Sequence, residues 1–340
     1  MTDIVVLTGI TGFLGGHIAL ELLKAGYTVR GSLRNPARAD TVRQSLRAQG
    51  ADTGRLGFVQ LDLARDDGWE AALAGARFLL HTASPFVTTM PADKTELIRP
   101  AVDGTDRAVR AALKARAGRI VMTSSTVAIT AGRGRDRPGR LGADDWADPE
   151  GGRLNAYAES KTRAERHAWG LMQRAGRADG LAVINPGFII GPLLDNDPGT
   201  SGALFQRFLR GGLPAVPRLF LHTVDVRDVA RIHVAALEDP AAGGRRHPAA
   251  FSEMWLRDMA GILRRELPGC AGKMPRFVLP DWLVRIHARF DGDIRANLNE
   301  LGYNPRLDAE RAQALLGRPP RPAAQSVREM AQGLIDRNLV

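Results

Sequence analysis

The run Thr8-Gly9-Ile10-Thr11-Gly12-Phe13-Leu14-Gly15 constrains this chain more than any other feature. It closes an apolar stretch at residues 4–8 and opens an amphipathic one at 13–24, where Ile18, Leu22 and Ala25 recur at helical spacing before Gly26. Glycines at a strand-to-helix junction permit a tight turn, close approach of backbone to a pyrophosphate, and close packing of helix on sheet. The free N–H groups and positive dipole end of the helix then attract the anion. The spacing is GxxGxxG, one residue longer than the GxGxxG pattern. Its place at the first junction of a βα repeat therefore carries the expectation.

That repeat continues along the chain. Strands are expected at 27–33, 57–61, 77–82, 119–123 and 181–185, alternating with helices that begin at Pro36 and span 69–73, 95–115 and 155–174. The alternation predicts an α/β fold with a Rossmann-type, doubly wound parallel sheet. Residues 1–186 are expected to form the Rossmann domain that binds the dinucleotide. Residues 187–340 form mainly a smaller, partly interleaved C-terminal substrate lobe, from which a segment near 213–240 returns to the first domain. A length of 340 residues suits one large domain with an appendage. Less regular helices are expected at 203–209, 226–237, 252–265 and 327–337, and the Gly-, Arg- and Asp-rich stretch 133–152 reads as a surface loop.

A formal net charge of +10 raises nucleic acid as a partner. The excess is dispersed arginine, such as Arg30, Arg34, Arg38, Arg43 and Arg47, with no aromatic-interleaved basic run, so no nucleic-acid function is expected. Cys270 is the sole cysteine, which excludes an intramolecular disulfide and a thiolate cluster, and no metal site is expected. Apolar residues begin at Ile4 without a charged leader, and no apolar run reaches transmembrane length. A cytoplasmic protein without a membrane partner is the expectation.

Two places carry chemistry. At the end of the second strand an acidic side chain would accept from the ribose hydroxyl of NAD; here Leu33-Arg34-Asn35 stands instead. A guanidinium suits the 2′-phosphate of NADP, and Arg30 and Arg38 add positive potential. Asp62-Leu63, ending the third strand, is placed to reach the adenine edge. Tyr157 and Lys161 stand four apart on the long helix, so phenol and ammonium share one face. A free phenol, with a pKa near about 10, is a poor acid–base group at neutral pH. The ammonium, together with the charge of an oxidised nicotinamide, is expected to lower it. The run Thr123-Ser124-Ser125-Thr126 follows the fifth strand at the carboxyl edge of the sheet, where open α/β folds bind ligands. A hydroxyl there is placed to hold a carbonyl oxygen beside the phenol; capping a helix or turn is the other use of such a run.

These motifs together resemble the extended branch of the short-chain dehydrogenase/reductases. The likeness rests on TGITGFLG, the TSS run, Tyr157-Ala-Glu-Ser-Lys161, and the segment from Asn185-Pro186-Gly187-Phe188 to Pro192. The segments 27–36, 81–86, 224–230 and 301–306 are similar to the dihydroflavonol 4-reductase and cinnamoyl-CoA reductase group, which includes microbial aldehyde and ketone reductases. The resemblance implies that Tyr157 is the general acid, Lys161 its modulator and a ribose ligand, and Ser125, not Ser124, the catalytic serine. It implies that Gly9, Thr11, Gly12, Phe13, Leu14 and Gly15 hold the pyrophosphate, Arg34 with Arg38 the 2′-phosphate, and Asp62 with Leu63 the adenine. Thr82, Ala83 and Ser84 would line the adenosine-side channel. Thr123, Pro186, Gly187, Phe188 and Ile189 would lie at the nicotinamide, and Ser201 would add a phosphate contact.

One departure bears on substrate. Plant dihydroflavonol reductases carry an Asn five residues beyond the catalytic serine; Thr130 stands there in this chain, which argues against a flavonoid. Phe86, Met90, Thr126, Thr130, Phe188 and the segment beginning at Leu193 are expected to form the substrate pocket. The expected activity is NADPH-dependent reduction of a small ketone or aldehyde by a monomer or homodimer. The competing expectations are a nucleotide-sugar epimerase or dehydratase of the same branch, which retains its nicotinamide, and an NADP-sensing protein without catalysis.

Overall fold

Among the described residues seven strands lie side by side in the order β11 (Arg245–Ala249), β7 (Leu181–Pro186), β5 (Arg119–Thr123), β4 (Phe78–His81), β1 (Ile4–Thr8), β2 (Thr28–Leu33) and β3 (Leu56–Gln60), every neighbouring pair parallel. The computed structural model describes residues 3–85, 91, 93–133, 139–150, 154–290 and 292–340. In chain order the first half runs β1 (Ile4–Thr8), α1 (Phe13–Lys24), β2 (Thr28–Leu33), α2 (Ala39–Ala48), β3 (Leu56–Gln60), α3 (Trp69–Leu73), β4 (Phe78–His81), α4 (Thr95–Lys114) and β5 (Arg119–Thr123). Then follow α5 (Val127–Thr130), β6 (Arg140–Leu141), α6 (Ala156–Arg174) and β7 (Leu181–Pro186). The second half contains β8 (Phe188–Ile190), α7 (Gly199–Leu209), β9 (Ala215–Val216), β10 (Phe220–Asp225), α8 (Val226–Ala235), β11 (Arg245–Ala249), β12 (Ser252–Trp255) and α9 (Leu256–Glu266). It ends with β13 (Phe277–Val278), α10 (Asp281–His287), α11 (Gly292–Ala296), β14 (Arg306–Leu307), α12 (Glu310–Leu316) and α13 (Ala323–Asp336).

The central strands are apolar runs because helices cover both faces of the sheet. Val5, Leu7, Val29 and Leu80 pack beneath α1, α2, α8 and α12, while Val6, Leu79, Ile120 and Val183 pack beneath α3, α4 and α6. Strand order reverses beside β1, whose neighbours are β2 and β4. The crevice at the carboxyl ends there is where such sheets take ligands. A third core, including Phe205, Phe208, Met259 and Met330, lies between α7, α9 and α13 next to the three-stranded sheet β12-β10-β8.

The chain re-enters the large sheet after residue 187. Within 213–240, β9 and β10 belong to small sheets outside it, and α8 packs against α1. Beyond that segment β11 forms the sheet's edge beside β7, and α12 packs on it. The sequence reading missed β11 because Arg245-Arg-His-Pro-Ala249 carries no apolar pattern and includes a proline, which an edge strand tolerates. The expected helix at 252–265 is corrected too: residues 252–255 form β12, with Met254 buried and Glu253 exposed, paired antiparallel to β10. The helix begins only after Trp255, whose backbone N–H donates to Asp258. Among the described residues no helix is long and apolar enough to cross a membrane, and no group of three His, Cys, Asp or Glu is placed to hold a metal.

Candidate active site

At the end of β1, Gly9 takes φ +75°, a conformation L side chains rarely adopt, and its carbonyl accepts from Gly12 N at 3.0 Å. A Cβ on Gly15 would lie 2.0 Å from that same carbonyl oxygen, so the start of α1 rests on the turn itself. α1 has no side-chain cap and no acidic residue in its first turn. This leaves a cradle of free N–H groups suited to a pyrophosphate. The chain is stitched to it from β4: Thr82 N and Ala83 N each donate to Thr8 Oγ1 at 3.1 Å, and Thr82 Oγ1 donates to Thr8 O at 2.5 Å. Gly199 packs on Phe13, where its Cβ would lie 3.0 Å from the Phe13 Cβ, bringing the first turn of α7, with buried Ser201, against the loop. Residues 11–14, 82–83 and the first turn of α7 are thereby brought to the same edge of the sheet.

Arg34 is exposed at the end of β2 and forms no ion pair with a described residue. Arg38 lies one 3-10 turn on, its Nη2 3.5 Å from Asp195 Oδ2. Arg30 departs from expectation: its guanidinium donates to the carbonyls of Ala72 (2.5 Å) and Ala74 (3.0 Å), pinning the end of α3 instead of adding to the field near Arg34. Asp62 Oδ1 accepts from Ala64 N at 2.9 Å, and Leu63 packs on Gly104 of α4.

The hydroxyl run after β5 resolves into separate roles. Thr123 Oγ1 lies 2.8 Å from His233 Nε2, and His233 Nδ1 lies 2.8 Å from Val229 O. Since a carbonyl only accepts, Nδ1 carries the proton and Thr123 donates to Nε2. Its hydroxyl proton is thus committed to α8. Ser124 Oγ donates to Glu165 Oε2 at 2.6 Å inside the protein. The Ser125 hydroxyl lies beside the Tyr157 phenol, where it favours the phenolate, while its oxygen accepts from Val127 N at 3.4 Å.

Tyr157 and Lys161 stand one turn apart on α6, which Asn155 caps by accepting from Ala158 N at 2.8 Å. Lys161 Nζ is 5.8 Å from the centre of the Tyr157 ring. Lys161 is buried, and burial lowers its ammonium to about 8, with the Glu165 carboxylate pulling upward. Tyr157 as a residue is 37% exposed, so its side chain borders solvent, yet its surroundings desolvate the hydroxyl. Desolvation pushes the phenol above its ordinary value, with the adjacent Ser125 hydroxyl opposing. The expected lowering is therefore not a property of the free chain, because burial outweighs the stabilisation of the phenolate.

Around these groups, Thr126 N donates to Pro186 O at 2.9 Å, and Gly187 passes so close to β10 that a Cβ would lie 2.3 Å from His222 O. Phe188 and Ile189 are half-buried on β8. Two expected pocket residues are corrected. Thr130 Oγ1 donates to Thr126 O at 3.1 Å, turning into its own helix, while its carbonyl accepts from Tyr303 OH at 3.1 Å. Leu193 is core: its side chain packs on Gly333 of α13 and its carbonyl accepts from Arg337. Phe86 and Met90 lie outside the described residues. The sequence reading missed Glu165, Asn185 as a polar side chain, and Arg246, three buried groups behind the serines. The eight-residue interval from Tyr157 to Glu165, two turns on one helix face, was the available signal.

A dinucleotide cradle at a switch point, beside a serine, tyrosine and lysine, defines a nicotinamide-dependent oxidoreductase of the short-chain type. Residues 5–249 match the NAD dependent epimerase/dehydratase family. The chain is 34% identical over 268 residues to tetraketide alpha-pyrone reductase 2 of Arabidopsis thaliana, covering 77% of this chain and 82% of that one. It is 33% identical to cinnamoyl-CoA reductase 1 of Petunia hybrida, with 78% of each chain covered. Its fold is similar to that of yeast methylglyoxal/isovaleraldehyde reductase Gre2 complexed with NADPH, with a TM-score of 0.81 and 24% identity over 99% of this chain and 100% of that one. The chain belongs to the NAD dependent epimerase/dehydratase family, in its extended short-chain dehydrogenase/reductase branch, and is an oxidoreductase of the group that includes carbonyl reductases.

Proposed function

We propose that this chain reduces ketone or aldehyde carbonyls to alcohols with NADPH. The observation that carries the reading is the convergence of the Ser125 hydroxyl, the Tyr157 phenol and buried Lys161, whose Nζ lies 5.8 Å from the Tyr157 ring centre one helical turn away. NADPH, when bound, supplies the hydride to the carbonyl carbon. The Tyr157 hydroxyl gives its proton to the carbonyl oxygen, and the Ser125 hydroxyl donates to that same oxygen and fixes its place. A phenol held above its ordinary pKa is protonated at neutral pH, the state a proton donor needs. Lys161 offsets negative charge left on Tyr157 and returns a proton to it.

Arg34 supports NADPH over NADH, because it ends β2 where an acidic residue would repel the 2′-phosphate. Gly9, Gly12, Gly15 and the adjacent N–H groups would hold the pyrophosphate, and Pro186 to Ile189 would border the nicotinamide. The substrate lobe is formed mainly by residues beyond 187, in a cytoplasmic monomer or homodimer. A screen of aryl ketones, aldehydes, diketones and β-keto esters for net NADPH oxidation tests the reading. Turnover of at least one class is expected; nicotinamide that stays unconsumed while a nucleotide sugar is epimerised or dehydrated would overturn it.

A further inference from the structure

Behind the reactive groups one buried carboxylate joins four elements of the fold. Glu165 is 0% exposed, one turn beyond Lys161 and two beyond Tyr157 on α6. Its Oε2 accepts from Ser124 Oγ at 2.6 Å and from Asn185 Nδ2 at 2.9 Å; its Oε1 accepts from Arg246 Nε at 2.5 Å and from Trp169 Nε1 at 3.4 Å. Asn185 Nδ2 also lies 3.3 Å from the backbone oxygen of Ser125. Arg246, buried on β11, donates its remaining N–H groups to the carbonyls of Ala128, Ala143 and Asp145, and its guanidinium stacks 3.7 Å from the Trp146 ring centre.

A buried ion pair is weak evidence for stability, since apolar side chains of similar volume often serve as well. The placement of this one is what calls for a use. We propose that Glu165 and Arg246 are positioning residues for the reaction: Glu165, through Asn185, ties the backbone of Ser125 to the helix of Tyr157 and Lys161, and Arg246 offsets part of the Glu165 charge that acts on the Lys161 ammonium beside the phenol. The proposal rests on Tyr157 being the proton donor.

The other charged or titratable groups on and near this helix are neutral or already paired. His81 from β4 and His233 from α8 are held neutral by burial, each lowered to about 4. Lys94, preceding α4, and Arg163 of α6 both pair with Glu159, at 3.3 and 2.8 Å. Asp145, in the loop before α6, pairs with Arg133 at 3.3 Å. Without Arg246, the Glu165 carboxylate still accepts from Ser124, Asn185 and Trp169. Removing either partner therefore displaces the local potential, with opposite sign.

The test is an ultraviolet titration of the Tyr157 phenolate, taken as the difference between each protein and the same protein carrying Tyr157→Phe, alongside the alkaline limb of the reduction profile. Glu165→Gln is expected to move both to lower pH and Arg246→Gln to move both to higher pH, by about one pH unit each. The double variant is expected to fall near the wild type. Shifts in the same direction, or no shift in folded protein, would overturn the proposal. Where Arg246→Gln does not fold, Arg246→Lys keeps the charge and loses the fork; its titration is expected to match wild type while that of Glu165→Gln moves, and equal movement of the two overturns the proposal. The titration needs no substrate, so a failure of carbonyl reduction itself would show separately.

Discussion

The Ser124 hydroxyl lies 2.6 Å from Oε2 of Glu165, while its neighbour Ser125 meets the Tyr157 phenol. Adjacent residues of one type thus serve different ends. Ser125→Ala should lower kcat by about 100- to 1,000-fold, the usual cost of losing one donor to a reacting oxygen. Ser124→Ala should instead cost about 1–3 kcal/mol of stability, since a buried carboxylate loses a donor, with far less effect on kcat. Steady-state kinetics and thermal melts of the two variants check the division; equal losses of kcat would contradict it.

Gly15→Ala should abolish dinucleotide binding. The added Cβ would meet a backbone carbonyl at 2.0 Å, a clash with main chain that no side-chain rotation relieves. Gly26→Ala is the comparison for backbone conformation alone, because Gly26 has φ +92° with open space around it. It should lower the melting temperature and leave NADPH affinity near wild type, as read by calorimetry.

Arg34→Gln should weaken NADPH binding by about 10- to 100-fold, the range for a charge-assisted bond to phosphate, and leave NADH binding nearly unchanged. Arg38→Gln should do less, because Asp195 already shares that guanidinium. Dissociation constants for both nucleotides measure the difference. Parallel losses for NADH and NADPH would remove Arg34 from the 2′-phosphate.

Stability should fall on mild acidification. His17, His81 and His233 are buried and lowered from 6.5 to about 4. Between those values the unfolded chain binds protons that the folded chain does not, so their stabilisation is complete above pH 6.5 and is lost as pH falls toward 4. Each contributes on the order of 3 kcal/mol at most over that window. Melting temperatures against pH should slope accordingly, and His233→Gln should flatten the slope; an unchanged slope would remove His233 from the account.

The first half of the fold was legible because a parallel sheet covered on both faces writes itself as apolar runs between amphipathic ones, and Gly9, Gly12 and Gly15 mark its ligand edge. Tyr157 and Lys161 were legible through helical spacing. β11 was not, since an edge strand tolerates Pro248 and the side chain of Arg246 is buried by pairing instead of by apolarity. Leu193 and Thr130 were misread for a related reason: residue type alone does not say whether an apolar side chain lines a cleft or fills a core, or whether a hydroxyl turns outward or back to its own helix. The choice of Ser125 over Ser124 rested on resemblance alone, because Glu165, which engages the Ser124 hydroxyl, is 41 residues from it in sequence.

The central claim is that Tyr157 delivers the proton and does not hold the cofactor in place. The most direct test measures NADPH binding and carbonyl turnover on Tyr157→Phe together, against the best substrate of the wild type. Turnover should fall by about 100-fold or more while the NADPH dissociation constant stays within a few-fold. Turnover retained, or lost only in step with NADPH affinity, would contradict the assignment.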